Sequence, residues 1–389
     1  MKKFLAVATV CLAGCLAVTA TGCAKNTRSL AALSSNWYSD TDFKRIQPAF
    51  TEGDENFAPE KVTYTVSFKK LNDPARNSTY SVEYADGTYT TKFYAKKISE
   101  ADLTDVTTEE WSDKYKEAIG KDGYLVVYCY ETELKIPSVT FKFGDETRSF
   151  TDDYRHTISY FLSVEDYLSP VYSLQEIKST TPAGMQPANI DNCYVQVDRI
   201  YENFYNLSGS TVLTEITDNL KEGDNVSTHR TGGLTDNTYS VFDNNYLDVV
   251  VRGMRNMSSS LSQNISTYAP TMVANYILTG SSTPLCDDAD EAEKQLADIQ
   301  KILEEKNLFA GKETTDDEGN VTKEKMKTVA VNVVYNNGEF TGVSQRYWFA
   351  AADSENKTRN LMVKYSIPLN YNLGSLEYVL ENIESLPQV

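Results

Sequence analysis

Polar and apolar residues alternate along much of this chain with the period of two that half-buried strands require. The run VTYTVSF at residues 62–68 is one such stretch, and TYSVEYADGTYTTKFYA at 79–95 is a longer one. Asp86-Gly87 at the centre of the second is a favoured pair for a two-residue hairpin turn, because both positions need positive φ. Folded there, Tyr84 would face Tyr89, Val82 would face Thr91 and Tyr80 would face Phe93, all on one side. A β-hairpin is therefore expected. Further strand patterns lie at 124–130, 138–143 (turned by Gly144-Asp145), 157–164, 172–177, 193–201, 212–216 and 246–251. After residue 327 sheet resumes with VAVNVVY, an Asn337-Gly338 turn and EFTGVSQRYWFA, and it closes with LMVKYSIPL, a Gly374 turn and LEYVLENI.

Helical spacing is rarer. Thr107 and Glu110 form a capping box ahead of a stripe of Trp111, Tyr115 and Ile119, and Gly120 ends it. Between 287 and 307, Leu296, Ile299, Ile302 and Leu303 recur at helical spacing behind an acidic first turn. Polar sequence flanks this helix, so residues 284–327 read as an insertion appended to the sheet. The segment 179–190, with Pro182, Gly184 and Pro187, reads as a loop and a candidate internal boundary, and 221–238 as a second polar loop. The predicted fold is mainly β (a β-rich α+β chain): one curved antiparallel sheet or half-barrel over residues 61–389, with a few helices. So few helical residues cannot cover both faces of such a sheet, so a concave surface of aromatic and aliphatic side chains is expected on one of them.

The N-terminus departs from this pattern. Met1-Lys2-Lys3 is a short basic region, and residues 4–20 are uncharged and almost wholly small or apolar. The run is short for a membrane span and is followed at once by polar sequence, as in a secretory signal peptide. Cysteine after small residues marks lipoprotein processing, with cleavage before the cysteine and acylation of its thiol. Leu12-Ala13-Gly14-Cys15 has the better local pattern but would strand Leu16 to Val18 on the mature chain. Ala20-Thr21-Gly22-Cys23 has the better geometry, so Cys23 is the expected lipidation site, Cys15 its alternative, and an ordinary signal peptide the bland reading. Residues 1–22 are then the signal and 23–60 a tether. The expected location is the extracytoplasmic side of a bacterial membrane, with the lipid as membrane partner.

Composition narrows the partners. The 389 residues carry a formal charge of −18, which excludes tracking a phosphate backbone, so nucleic acid is not an expected partner. Of six cysteines, three follow Cys23: Cys129, Cys193 and Cys286. An odd number cannot complete a disulfide framework, and buried thiols are the simplest reading, with a Cys129–Cys193 bridge the alternative. Tyrosine is the outlier, at 26 against 15 Phe and 3 Trp. Its ring suits half-buried strands, and equally suits contact with a glycan or peptide.

Chemistry-bearing motifs are absent. His156 and His229 are the only histidines, and no His-Glu-x-x-His or paired Cys-x-x-Cys accompanies them, so neither metal nor cofactor is expected. Ser67-x-x-Lys70 sits in a strand pattern rather than at a helix start. The acidic clusters at 287–293 and 316–320 lack the alternating oxygens of a calcium loop. No residue is singled out as catalytic, although two carboxylates suitable for glycoside cleavage could be hidden among 55 acidic residues.

From Phe242 the order of features resembles a known family. Phe242-Asp243-Asn244-Asn245-Tyr246-Leu247 and Val251-Arg252-Gly253-Met254-Arg255 form an Asp…Leu…hydrophobic-Arg segment. A turn with Gly342, the Tyr347-Trp348-Phe349 strand and a Pro368…Gly374…Leu376 hairpin follow, and 167–172 supplies a Pro-then-Tyr strand. This is similar to an exported bacterial β-sheet domain of unknown function, curled into a half-barrel like the LolA/LppX-type carriers. The resemblance implies that fold and assigns no functional residue. The expected role is non-catalytic: binding an apolar or amphipathic ligand such as a lipid, or partnering envelope proteins. A carbohydrate-binding or carbohydrate-cleaving surface protein is the alternative.

Overall fold

The computed structural model describes residues 59–71, 80–99, 123–164, 167–184, 187–205, 211–223, 225–232, 241–252, 262–281, 289–308, 313–316, 318–326, 328–336, 341–350, 361–369 and 373–386. The expected signal peptide with Cys15 and Cys23, the expected tether up to residue 58, the expected helix over 107–120, Cys286 and the expected Asn337-Gly338 turn lie outside them. Strands dominate. Those of the main sheet are β1 (Glu60–Lys70), β2 (Tyr80–Tyr84), β3 (Gly87–Ile98), β4 (Leu125–Phe143), β5 (Glu146–Val164), β6 (Tyr167–Pro182), β7 (Tyr194–Tyr205), β8 (Thr211–Asp218), β9 (Val226–Gly232), β10 (Val241–Asp243), β11 (Ser262–Ala269), β12 (Met272–Ser281), β15 (Thr328–Asn336), β16 (Thr341–Ala350), β17 (Leu361–Pro368) and β18 (Gly374–Ser385). A separate hairpin is made by β13 (Glu313–Thr315) and β14 (Val321–Lys323). The α-helices among the described residues are α1 (Leu247–Arg252) and α2 (Ala289–Glu305).

Sixteen described strands form one sheet in the order β10-β11-β12-β15-β16-β17-β18-β1-β3-β4-β5-β6-β7-β8-β9, with β2 beside β4. Every pairing is antiparallel except β10 with β11. The fold is therefore mainly β, as the alternation predicts. The sheet curls, because β10 at its start reaches side chains of β6 and β7 near its other end. Asp243 of β10 accepts a hydrogen bond from Ser173 Oγ and one from Tyr205 Oη at 2.6 Å. Ser173, Tyr205, Tyr89, Tyr130 and Phe161 share one face by strand register, and this face is the hollow of the curl.

The expected hairpin at Asp86-Gly87 does not form. β2 and β3 run on in a single register along β4, with Tyr84 opposite Val139 and Thr88 opposite Lys135. The chain passes straight through Ala85, whose N–H bonds Ser138 O at 2.9 Å. Gly87 is needed for a different reason: a Cβ there would lie 2.3 Å from Lys135 O. Pro137 lies opposite this point and has no N–H to give, and Asp152 beyond it has φ 61°. Along this line the buried positions change phase, from Tyr80, Val82 and Tyr84 to Thr91 and Phe93. The hairpin turn falls instead at Gly144-Asp145, with Gly144 at φ 58° and Phe143 opposite Glu146.

Other expectations shift as well. The two strands expected at 124–130 and 138–143 are one strand, β4, and the loop at 221–238 contains β9. β6 extends to Pro182, which pairs with Tyr194, so the segment 179–190 narrows to a short link within the sheet. Residues 246–251, a valine-rich strand pattern, are a 3-10 turn (Asn244–Tyr246) running into α1. The Asp243 side chain starts that turn by accepting from Asn245 N at 2.7 Å, and Leu247, Val249, Val250 and Val251 of the helix that follows are buried. α2 is inserted between β12 and β15, which pair directly. It is more than an appendage: Ile299 and Leu303 are each 1 % exposed and belong to the main hydrophobic core.

Candidate functional site

The segment from Phe242 to Arg252 threads the hollow. Tyr246 packs on Phe161 with ring centres 4.5 Å apart. Leu247, Val249, Val250 and Val251 are all buried. Around Asp243 a closed polar network ties the two ends of the sheet together. Asn203 Nδ2 donates to Ser173 Oγ at 3.0 Å, Thr214 Oγ1 donates to Asn203 Oδ1 at 2.7 Å, and Thr214 also meets Tyr268 Oη at 2.8 Å. Burial raises the Asp243 carboxyl, opposed by the bonds from Ser173 and Tyr205. A buried acid with this many donors is a structural seam. Next to it the hollow is lined by small polar side chains, among them Thr132 and Thr157 with their hydroxyls 2.6 Å apart. The expectation of a concave surface of aromatic and aliphatic groups therefore holds for only part of the face.

The aromatic part lies on β16, β17, β18, β1 and β3. Tyr347 stacks on Tyr365 at 4.5 Å and 14°, Tyr365 meets Tyr378 at 4.8 Å, Tyr378 meets Tyr89 edge-on at 5.2 Å, and Tyr89 lies 5.8 Å from Tyr64. Strand register produces this row, because these tyrosines, or residues two away from them, are direct cross-strand partners. Ordinary cross-strand packing, the plainest explanation of a tyrosine-rich sheet, accounts for their contacts with one another. It does not account for Asp248.

Asp248 projects from the first turn of α1 among these rings. Its Oδ2 accepts from Tyr130 Oη in a very short contact and from Tyr89 Oη at 3.5 Å. Burial pushes its carboxyl up to about 6, against the opposing hydrogen bonds of Tyr130 and the α1 backbone. Asp248 and Tyr89 nevertheless keep part of their surface open to solvent. Water therefore reaches the carboxylate at the margin of the tyrosine row, here termed the tyrosine recess. Nearby, Arg252 is held by both oxygens of Glu60, the longer contact at 3.0 Å, so its charge is matched. With the Gln175 amide oriented to put its oxygen towards the guanidinium, Arg155 donates to it at 2.8 Å through Nε. Asp248 is thus met by hydroxyl and backbone donors, and among the described residues no cation forms an ion pair with it.

The remaining candidates stay apart. His156 lies on the other face of the sheet between Glu131 and Glu176, 3.5 Å from each, and Glu131 above all raises its pKa. His229 is on the exposed strand β9. Ser67 and Lys70 lie on β1, and among the described residues no group of three or more His, Cys, Asp or Glu could hold a metal. Cys129 and Cys193 are free and buried. Burial pushes the Cys129 thiol up to about 12, which makes it inert. Asp248 is not marked in the sequence as a site, because it follows Leu247 inside a valine run that reads as a strand. The signal available is the charge itself, a lone acid amid LDVVV that must be either exposed or functional.

No family model matches the chain, and no curated protein matches it. Among solved structures it is similar to the crystal structure of a beta-barrel-like protein of domain of unknown function DUF1849 from Brucella abortus. Sequence identity is 8% and the TM-score 0.41, with 85% of this chain and 99% of that chain covered.

Proposed function

We propose that this chain is a lipid-anchored extracytoplasmic protein of the bacterial envelope that binds an amphipathic small molecule in the hollow of its sheet, without catalysis. The observation that carries the reading is Asp248, a carboxylate enclosed by tyrosines, reachable by solvent and lacking an ion-pair partner among the described residues. Tyrosine rings offer apolar walls with polar tips. A carboxylate at the end of such a wall fits a ligand whose head group donates hydrogen bonds or carries positive charge. Cys23 supplies the anchor, and the segment before β1 the tether. Glycan binding is the competing reading, and it calls for rings at an exposed edge, whereas Tyr347 and Tyr365 are 2 % and 8 % exposed.

The protein as isolated from its membrane is extracted with organic solvent, and the extract is analysed by mass spectrometry beside a glycan-array screen. One bound amphiphile per chain with no glycan signal supports the reading. Specific glycan binding with an empty extract defeats it. Labelled palmitate should enter the wild type and be lost in Cys23→Ala. Label lost only in Cys15→Ala would move the anchor.

A further inference from the structure

The other face of the sheet carries a cleft of about 520 Å³ between α2 and strands β16 to β18. Its size falls in the range of small-ligand sites. Trp348, 3 % exposed, and Ile299, 1 % exposed, lie among its lining residues and give it an apolar side. Around them the lining is cationic. Lys69 and Lys364 share the one carboxylate of Glu377, at 3.6 and 2.9 Å, so one ammonium charge is left over. Arg346 commits its Nε to Asn332 Oδ1 at 3.1 Å, which leaves both Nη groups for a planar anion. Lys70 and Lys294 line the same cleft, both exposed, and neither has a carboxylate partner among the described residues.

Against these five cations the lining holds Glu377, Glu291 and Asp298. Glu291 is engaged by Gln295 Nε2 at 3.1 Å. The cleft is therefore net positive within a chain of net charge −18. Cations gathered in a partly enclosed space repel one another, and an anion is the ligand that relieves the repulsion. We infer that this cleft is a second binding site, distinct from the tyrosine recess, for a small anion with a planar or apolar body. The Trp348 indole underlies the floor of the cleft beneath the body, and the anionic group is gripped by Arg346, Lys70 and Lys294.

The test uses the full chain in nonionic detergent, titrated with 8-methoxypyrene-1,3,6-trisulfonate, a water-soluble planar trianion, and read by anisotropy. Saturable one-to-one binding is expected, with tryptophan emission quenched by energy transfer. The Trp348→Phe variant should lose most of that quenching. The exposed double variant Lys70→Glu/Lys294→Glu should bind at least tenfold more weakly with an unchanged circular dichroism spectrum, and Arg346→Gln serves if the double variant fails to fold. Asp248→Asn should leave probe affinity unchanged. The inference is overturned by a charge-reversed variant within twofold of wild type, by the absence of saturable binding, or by loss of binding in Asp248→Asn, which would put the probe in the recess.

Discussion

Asp248 should cost the protein stability at neutral pH, and Asp248→Asn should recover it. In the folded chain burial holds this carboxyl near 6, against an ordinary 3.8. At about 1.4 kcal/mol per pH unit, the difference corresponds to about 3 kcal/mol. The sign follows from the direction. Below pH ~4 the acid is protonated in both folded and unfolded chains, and nothing is lost. Between pH ~4 and ~6 the unfolded chain releases its proton first, so stability falls as pH rises, and above ~6 the full penalty stands. Asparagine keeps the shape, its amide oxygen can accept both tyrosine hydroxyl bonds that reach Oδ2 of Asp248, and it carries no charge. Urea unfolding at pH 4, 5, 6 and 7.5 should show the variant ~1–3 kcal/mol more stable than wild type at pH 7.5, with the gain shrinking towards pH 4. Asp153, also raised to about 6 by burial, contributes equally to both proteins and cancels in the difference. A variant less stable than wild type at pH 7.5, with an unchanged pH slope, would refute the reasoning. Asp248 would then be a structural acid like Asp243, and the case for a ligand-facing charge would fall with it.

Four further outcomes are expected. Gly87→Ala should lower stability by roughly 2 kcal/mol or more, since its Cβ meets the Lys135 carbonyl at 2.3 Å; an unchanged urea midpoint would mean that the two backbones do not approach so closely there. Tyr205→Phe removes a donor from buried Asp243 and should cost about 1.5–3 kcal/mol in the same assay. Leu303→Ala should cost about 2–5 kcal/mol because the side chain is 1 % exposed in the main core, whereas a loss under 0.5 kcal/mol would make α2 the appendage its sequence suggests. Cys129 and Cys193 should resist iodoacetamide in the native protein and both react in urea without reductant; a thiol that appears only after reduction would reveal a bridge.

Sheet content is legible in the sequence because alternation records burial on one face directly, and β16, β17 and β18 fall where VSQRYWFA, LMVKYSI and LEYVLENI place them. Pairing is less legible, because it depends on residues far apart in sequence. The Asp86-Gly87 dipeptide is compatible with a turn, but β4 is long enough to pair with both flanking segments, and that shared register prevails over the local preference. α1 is hidden for a related reason: β-branched residues favour strands on average, yet Val249, Val250 and Val251 sit inside the curl, where a helix satisfies its own backbone. The Phe242–Arg252 motif singles out this stretch through its resemblance, but nothing in the motif shows that Asp248 would meet Tyr89 and Tyr130. Those partners come from strands more than 100 residues away.

Binding in the tyrosine recess is tested most directly by native mass spectrometry of the chain purified from its own membrane, comparing wild type with Asp248→Asn. The expected result is a wild-type peak carrying one small amphiphile, and a variant that folds at least as well but has lost most of that mass. Equal occupancy in the two proteins, or a wild type free of any bound mass, would contradict it.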